Sequence, residues 1–358
     1  MADAKTHAPQ EFEKVLKDSA TEVASFERHD RPLIERIQHL LHSYPALVPL
    51  IVLALSVLVF GLFLGSKFFS PFSMSLILQQ VAITGIVGAA QTLVVLTAGI
   101  DLSVGAIMVL CSVVMGQFTF RYGIPTPISI LCGFAVGAGI GYLNGFLIAR
   151  VKLPPFIVTL GMWQIVLAAN FLYSRNETIR SQDVAAQAPL LQIFGASWKV
   201  GGAVLTLGCI IMILLVVVLN YILTQTAWGR HVYAIGDDPD AAELSGVQVT
   251  KMLTSIYMIS GLICALAGWV LIGRIGSVSP TSGQFANIES ITAVVIGGIS
   301  LFGGRGSILG MLFGALIVGV FGLGLRLAGT DPQWTFLLIG VLIIVAVAID
   351  QWIRKVSG

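Results

Sequence analysis

Ten apolar runs separated by short polar turns occupy the chain from about residue 45 onward. Judged against the ~20 residues an α-helix needs to cross a bilayer, they are predicted near 45–66, 74–97, 103–120, 127–148, 155–173, 202–223, 254–272, 288–303, 307–327 and 333–351. The eighth run is short enough to be a partial span or a re-entrant piece. The pattern predicts an all-α polytopic membrane protein of about ten transmembrane helices, residues 45–358, after a polar segment, residues 1–44.

The one long polar interruption in the second half is Thr224–Lys251. Within it Asp238 can cap a helix, Pro239 suits the first helical position, and Asp240 lies near the positive end of the helix dipole. Ala241, Ala242, Glu243 and Leu244 favour helix, Ser245 follows, and Gly246 can close the helix in a left-handed conformation. A helix of about two turns is unstable alone, so its own membrane helices or a partner must hold it. Its small face of Ala241, Ala242 and Leu244 suits a shallow groove. The bland alternative is a capped turn between two spans.

Composition agrees with the class: 56% of the 358 residues are apolar, 11% are charged, and the net charge is +2. That charge is too small, and the apolar content too high, for a nucleic-acid footprint. With a cytoplasmic N-terminus, 13 of the 20 bases fall on the inside, among them Arg150, Lys152, Arg230, Lys251, Arg305, Arg354 and Lys355. This agrees with the positive-inside rule and puts the 224–251 loop and both termini in the cytoplasm. The longest external stretch is then Tyr173–Val200.

Met1–Ser43 differs in character, with eight of the 18 acids, six of the 20 bases and four of the five histidines. Phe26, Leu33, Ile34, Ile37, Leu40 and Leu41 recur at near-helical spacing, which predicts an amphipathic helix on the membrane surface. The segment lacks the pattern of a signal peptide. Its histidines, His7, His29, His39 and His42, are too irregular for a metal site. Cys111, Cys132, Cys209 and Cys264 fall inside apolar runs without close pairing and read as core residues.

Two glycine-rich turns echo one another: Gly99-Ile-Asp-Leu-Ser after the second span and Gly298-Ile-Ser-Leu after the eighth. Glycines there support close backbone approach in a break between helices. Asp101, an acid near the apolar body, is a functional candidate by default. Capping of the next helix is favoured over substrate contact, and Glu289 has a similar capping explanation. Gln79, Gln80, Gln91, Asn144, Gln164 and Asn170 are the buried-register amides; such groups join helices or line a polar pathway. With Asp101 they are the pathway candidates.

A phosphate-cradling loop, a His-Glu-x-x-His helix and a nucleophile elbow are all missing from the sequence. The chain therefore reads as no enzyme, with no catalytic residue and no metal site. A secondary carrier or channel is the rival reading; it requires an ion-coupling group in the spans, and apart from Asp101 the chain supplies little. An aromatic-plus-amide sugar site is not legible.

Gly99-Ile-Asp-Leu-Ser-Val-Gly, then Gly229-Arg-His-Val-Tyr-Ala-Ile-Gly-Asp-Asp-Pro-Asp-Ala-Ala-Glu-Leu-Ser-Gly-Val, then Val295-Ile-Gly-Gly-Ile-Ser-Leu-Phe-Gly-Gly-Arg-Gly-Ser stand in that order. They resemble the signatures of bacterial sugar ABC-importer permeases of the ribose, xylose and fructose type. The family more often has Gly-Gly-Asn at Gly236-Asp237-Asp238, and the N-terminal extension is outside its pattern. The resemblance implies that 229–247 meets an ATP-binding subunit, with Gly229, Arg230, Asp238, Pro239, Ala241, Ala242, Glu243, Leu244, Ser245 and Gly246 as coupling residues. It further implies a homodimer in the bacterial inner membrane, a periplasmic sugar-binding protein outside, and alternating access for a monosaccharide such as fructose. The chain would bind no cofactor, ATP and Mg belonging to the partner.

Overall fold

The computed structural model describes residues 46–331 and 333–357. The polar segment 1–44, its expected amphipathic helix and its histidines lie outside the described residues. Each of the ten expected apolar segments corresponds to one helix: α1 (Leu47–Leu64), α2 (Pro71–Val95), α3 (Val104–Tyr122), α4 (Thr126–Ala149), α5 (Pro155–Ser174), α7 (Leu207–Gln225), α10 (Val249–Ile275), α11 (Ala286–Ile296), α12 (Ile308–Leu327) and α13 (Gln333–Ser357). Eight of these are long and apolar enough to cross a membrane, with α11 and α13 supplying shorter apolar stretches. The chain is a polytopic all-α membrane protein.

Outside the spans lie α6 (Ser181–Gln187), a 3₁₀ turn (Pro189–Gly195), the antiparallel hairpin β1 (Ser197–Val200) and β2 (Ala203–Thr206), and two helices, α8 (Ala227–Asp237) and α9 (Pro239–Leu244). The sixth span begins later than the expected residue 202, because its first apolar residues are taken into β2, where Gln79 donates to the Val204 carbonyl at 2.7 Å.

The bundle is held most closely where α4 meets α10. Gly137, Gly141 and Gly145 recur every fourth residue along one face of α4. A Cβ at Gly141 would strike the Tyr257 carbonyl, one at Gly137 the Gly261 carbonyl, and one at Gly145 would lie 2.7 Å from the Thr254 Cα. Apolar tails of lipid supply no hydrophobic drive between helices, so small residues that let backbones approach are what joins them.

The eighth segment is a half-helix. The 11 residues of α11 reach about 16 Å, roughly half of a ~30 Å hydrocarbon core. The preceding stretch, 276–285, is non-helical, with Val278 and Pro280 buried and Thr281, Gln284 and Phe285 exposed. Val278 pairs with Ile179, Pro280 accepts from Asn170 Nδ2 at 2.9 Å, and a Cβ at Gly283 (φ +75°) would sit 2.7 Å from Met108.

Candidate functional site

The polar stretch Thr224–Lys251 folds as two helices, where its residue pattern predicts only the second. Thr226 caps α8 by accepting the Gly229 N–H at 3.2 Å. Val232, Ile235, Gly229 and Gly236 form its buried face, and Trp228 Nε1 donates to Ser255 Oγ at 3.3 Å. The signal was available in the near-helical spacing of Trp228, Val232 and Ile235.

α8 packs its end against both glycine turns at once. A Cβ at Gly236 would collide with the Leu96 carbonyl and lie 2.5 Å from the Gly304 nitrogen. Gly304 donates to Leu96 O at 3.0 Å, and Tyr233 Oη donates to the Gly306 carbonyl at 3.0 Å. The second and third sequence motifs thus meet at the end of α2, just ahead of the first.

α9 has the termini its sequence predicts. Asp238 accepts from the N–H groups of Asp240 at 2.9 Å and Ala241 at 3.0 Å. Gly246 (φ +88°) closes it: its N–H donates to Glu243 O at 2.9 Å, and that of Val247 to Ala242 O at 3.1 Å. This is the paired closure that a left-handed residue permits. The expected small docking face needs correction, because Ala242 is 5% exposed and points into the chain's own packing. Ala241 and Leu244 are exposed with Arg230, Pro239, Glu243 and Ser245, and Leu244 is 91% exposed.

The two glycine turns are structural echoes. After α2, Ala98 donates to Val95 O and Gly99 to Val94 O; after α11, Gly298 donates to Val295 O and Ile299 to Val294 O. The left-handed residues are Ala98 (φ +59°) and Gly298 (φ +73°). The sequence echo aligns Gly99 with Gly298, one residue away from the geometric match.

Asp101 is buried in the first turn. It accepts from Ser103 N at 2.8 Å and Ser103 Oγ at 2.5 Å, so it orders the residue that precedes α3 and does not reach the amides of the helix itself. Gln91, in the orientation that matches donor to acceptor, donates to Asp101 O at 2.9 Å and accepts from Asp101 N at 3.2 Å. Asn144 Nδ2 donates to Ser103 Oγ at 3.0 Å, and Thr159 Oγ1 to Ile100 O at 2.9 Å. These groups tie α2, α4 and α5 to the turn.

The other pathway candidates do not share one place. Gln79 is engaged by β2, Asn170 holds the unwound stretch, and Gln164 lies exposed on the outer face of α5. Only Gln80 opens onto a polar cavity, which has a volume of about 460 Å³ and is lined by α2, α10, α11, α12 and the stretch before α11. Of its charged groups, Glu289 is expected from the sequence as a helix cap, whereas Arg274 and Arg326 are not singled out there. The arginines sit at helix ends, where they resemble flanking charges. Glu289 does not cap: its Oε2 accepts from Thr84 Oγ1 of α2 at 3.0 Å.

Residues 73–347 match the family described as the branched-chain amino acid transport system / permease component. The chain belongs to this permease family. The permease is 75% identical to the fructose import permease protein FrcC of Rhizobium meliloti, over 98% of this chain and 97% of that relative. It is 36% identical to the ribose import permease RbsC of Bacillus subtilis (80% of this chain, 87% of the relative). It is 33% identical to the galactose/methyl galactoside import permease MglC of Haemophilus influenzae (79% and 88%). No solved structure matches the chain. The resemblance read from the three motifs is therefore borne out at the level of a sugar-import permease.

Proposed function

We propose that this permease is the membrane-spanning subunit of an ATP-driven monosaccharide importer, with fructose as its first substrate. The near-full-length likeness to a fructose import permease supports the substrate. The coupling role rests on one observation: α8 meets both glycine turns at Gly236, Leu96 and Gly304, directly beside the exposed α9. A cytoplasmic ATP-binding subunit that moves α9 would drag α8, and α8 would shift the turns that end α2 and α11. Those turns carry the spans between which a solute must pass, which gives alternating access a mechanical route.

In this reading a periplasmic binding protein delivers the sugar to the opposite end, two copies of the chain form the pore, and both termini lie in the cytoplasm of a bacterial inner-membrane system. ATP and Mg stay on the partner, and this chain hydrolyses nothing.

The test is reconstitution in proteoliposomes of the full chain, with and without its ATP-binding subunit and binding protein. D-fructose uptake should require all three components and ATP. Uptake by the chain alone would instead identify a carrier. Cysteines introduced by Asp183→Cys and Asp240→Cys should be modified by an impermeant reagent from opposite faces; modification of both from outside would overturn the topology.

A further inference from the structure

We propose that the cavity walled by α2, α10, α11 and α12 binds the neutral monosaccharide in transit, a reading that rests on the import function proposed above. Five polar groups from all four helices meet there: Gln80 and Thr84 from α2, Arg274 from α10, Glu289 from α11 and Arg326 from α12. Two are fixed in advance. Arg326 Nη2 donates to Gln80 Oε1 at 2.6 Å while its Nε donates to the Gly322 carbonyl at 2.9 Å. Glu289 accepts from Thr84 on one carboxylate oxygen, leaving the other for a ligand. Arg274 makes no side-chain hydrogen bond among the described residues.

This chemistry selects by the kind of hydrogen bonding offered. Guanidinium groups only donate and a carboxylate only accepts, so a ligand that satisfies both must offer acceptors and donors together, as a set of sugar hydroxyls does. An anion would meet Glu289 and a cation would meet two arginines, so a neutral polyol fits better than either. Phe285 adds the remaining feature of a sugar site. Its ring lines the same cavity, is 59% exposed, and is braced by Phe336 at 6.3 Å between centroids; it offers an apolar face for the C–H side of a pyranose or furanose. The cavity volume of about 460 Å³ falls within the usual range for small-molecule sites.

The position of the cavity joins recognition to coupling. Phe285 and Glu289 stand at the start of α11, and the other end of that short helix is Gly297, where a Cβ would lie 2.6 Å from the Gly310 carbonyl. The turn that follows carries Gly304 and its bond to Leu96. A displacement of α11 by α8 therefore moves one wall of the sugar site.

Uptake of D-fructose by the complete reconstituted importer, normalised to permease in the vesicles, tests this with Phe285→Ala and Glu289→Gln. Both are conservative in packing, since Phe285 is largely exposed and Gln can still accept from Thr84. Each should lower uptake at subsaturating sugar by about tenfold or more, the factor equivalent to about 1.4 kcal/mol, while Leu172→Ala on the exposed face of α5 leaves it unchanged. In a second measurement, a Gln284→Cys variant at the cavity rim should react with an impermeant thiol reagent, and saturating D-fructose should slow that reaction. Variants that match wild type in a working importer, or a Gln284→Cys reaction rate indifferent to sugar, would overturn the site and leave the import function standing. A wild-type complex that moves no sugar would overturn the import function itself.

Discussion

Gly304 donates its N–H to the carbonyl of Leu96 at 3.0 Å, fastening the turn after α11 to the turn after α2. The bond lies under Gly236 of α8, which has no side chain to hold the two apart. Backbone contacts of this kind transmit displacement with little slack, because neither side has rotamers to absorb it.

Gly236→Ala is accordingly expected to push α8 away from the turns. Overpacking of this sort costs typically about 1–3 kcal/mol, and here it falls on the extramembrane end, so insertion and abundance should stay near wild type. Binding-protein-dependent uptake should fall by at least about tenfold if the contact couples α8 to the spans. A variant with wild-type uptake in proteoliposomes would show that the close approach is packing alone.

Ala98 occupies the left-handed region at φ +59°, whereas its counterpart in the second turn is Gly298. A side chain in that region costs roughly 1–2 kcal/mol, of which glycine's greater unfolded-state freedom takes back about half. Ala98→Gly should thus stabilise the permease by up to about 1 kcal/mol, seen as a higher melting temperature in detergent. An unchanged or lower value would mean that the Ala98 methyl makes compensating contacts.

What could be read from the chain depended on the range of the interaction. The spans announce themselves by length and apolarity, and the caps of α9 by Asp238, Pro239 and Gly246, because each of those signals is local. α8 is local too, but its apolar positions are interrupted by Arg230, His231 and two glycines, which together read as loop. The echo of the turns was visible, yet its register was misplaced by one residue, since glycine identity is a weaker guide than the left-handed position that Ala98 fills. Of the polar cavity only Gln80, one of the pathway amides, was legible as such. Gln80, Arg274, Glu289 and Arg326 come from four helices, and nothing in the local sequence of any one of them reports the other three.

Asp101 works through Ser103. Asn at position 101 retains an oxygen that can accept from the Ser103 N–H, while Ala leaves that buried donor, and Asn144's partner Ser103, without support. Asp101→Asn should therefore leave uptake within about twofold of wild type, and Asp101→Ala should lower stability by roughly 1–3 kcal/mol. Abolition of uptake by Asp101→Asn at normal abundance would show that the negative charge itself is needed, in line with an ion-coupled step in place of a structural one.

The exposed end of α9 gives the sharpest test of partner docking, and the direction of its side chains decides which substitution to use. Ala242 faces inward, so Ala242→Arg would lever α9 off its own chain and lower permease stability before any partner is involved. Leu244 is 91% exposed, so Leu244→Asp removes an apolar contact and adds a charge without disturbing anything in the isolated permease. If an ATP-binding subunit seats α9 in an apolar groove, burying that leucine contributes about 1.5–3 kcal/mol and burying an unpaired carboxylate adds a further cost. Leu244→Asp should then weaken co-purification of the ATP-binding subunit by at least about tenfold, with the melting temperature of the free permease unchanged. Gly246→Pro should do the same by a different route, since proline can adopt neither the φ of +88° nor the N–H bond that closes the helix. Retained co-purification in both variants, together with retained uptake, would leave α9 as no more than a capped turn between two spans.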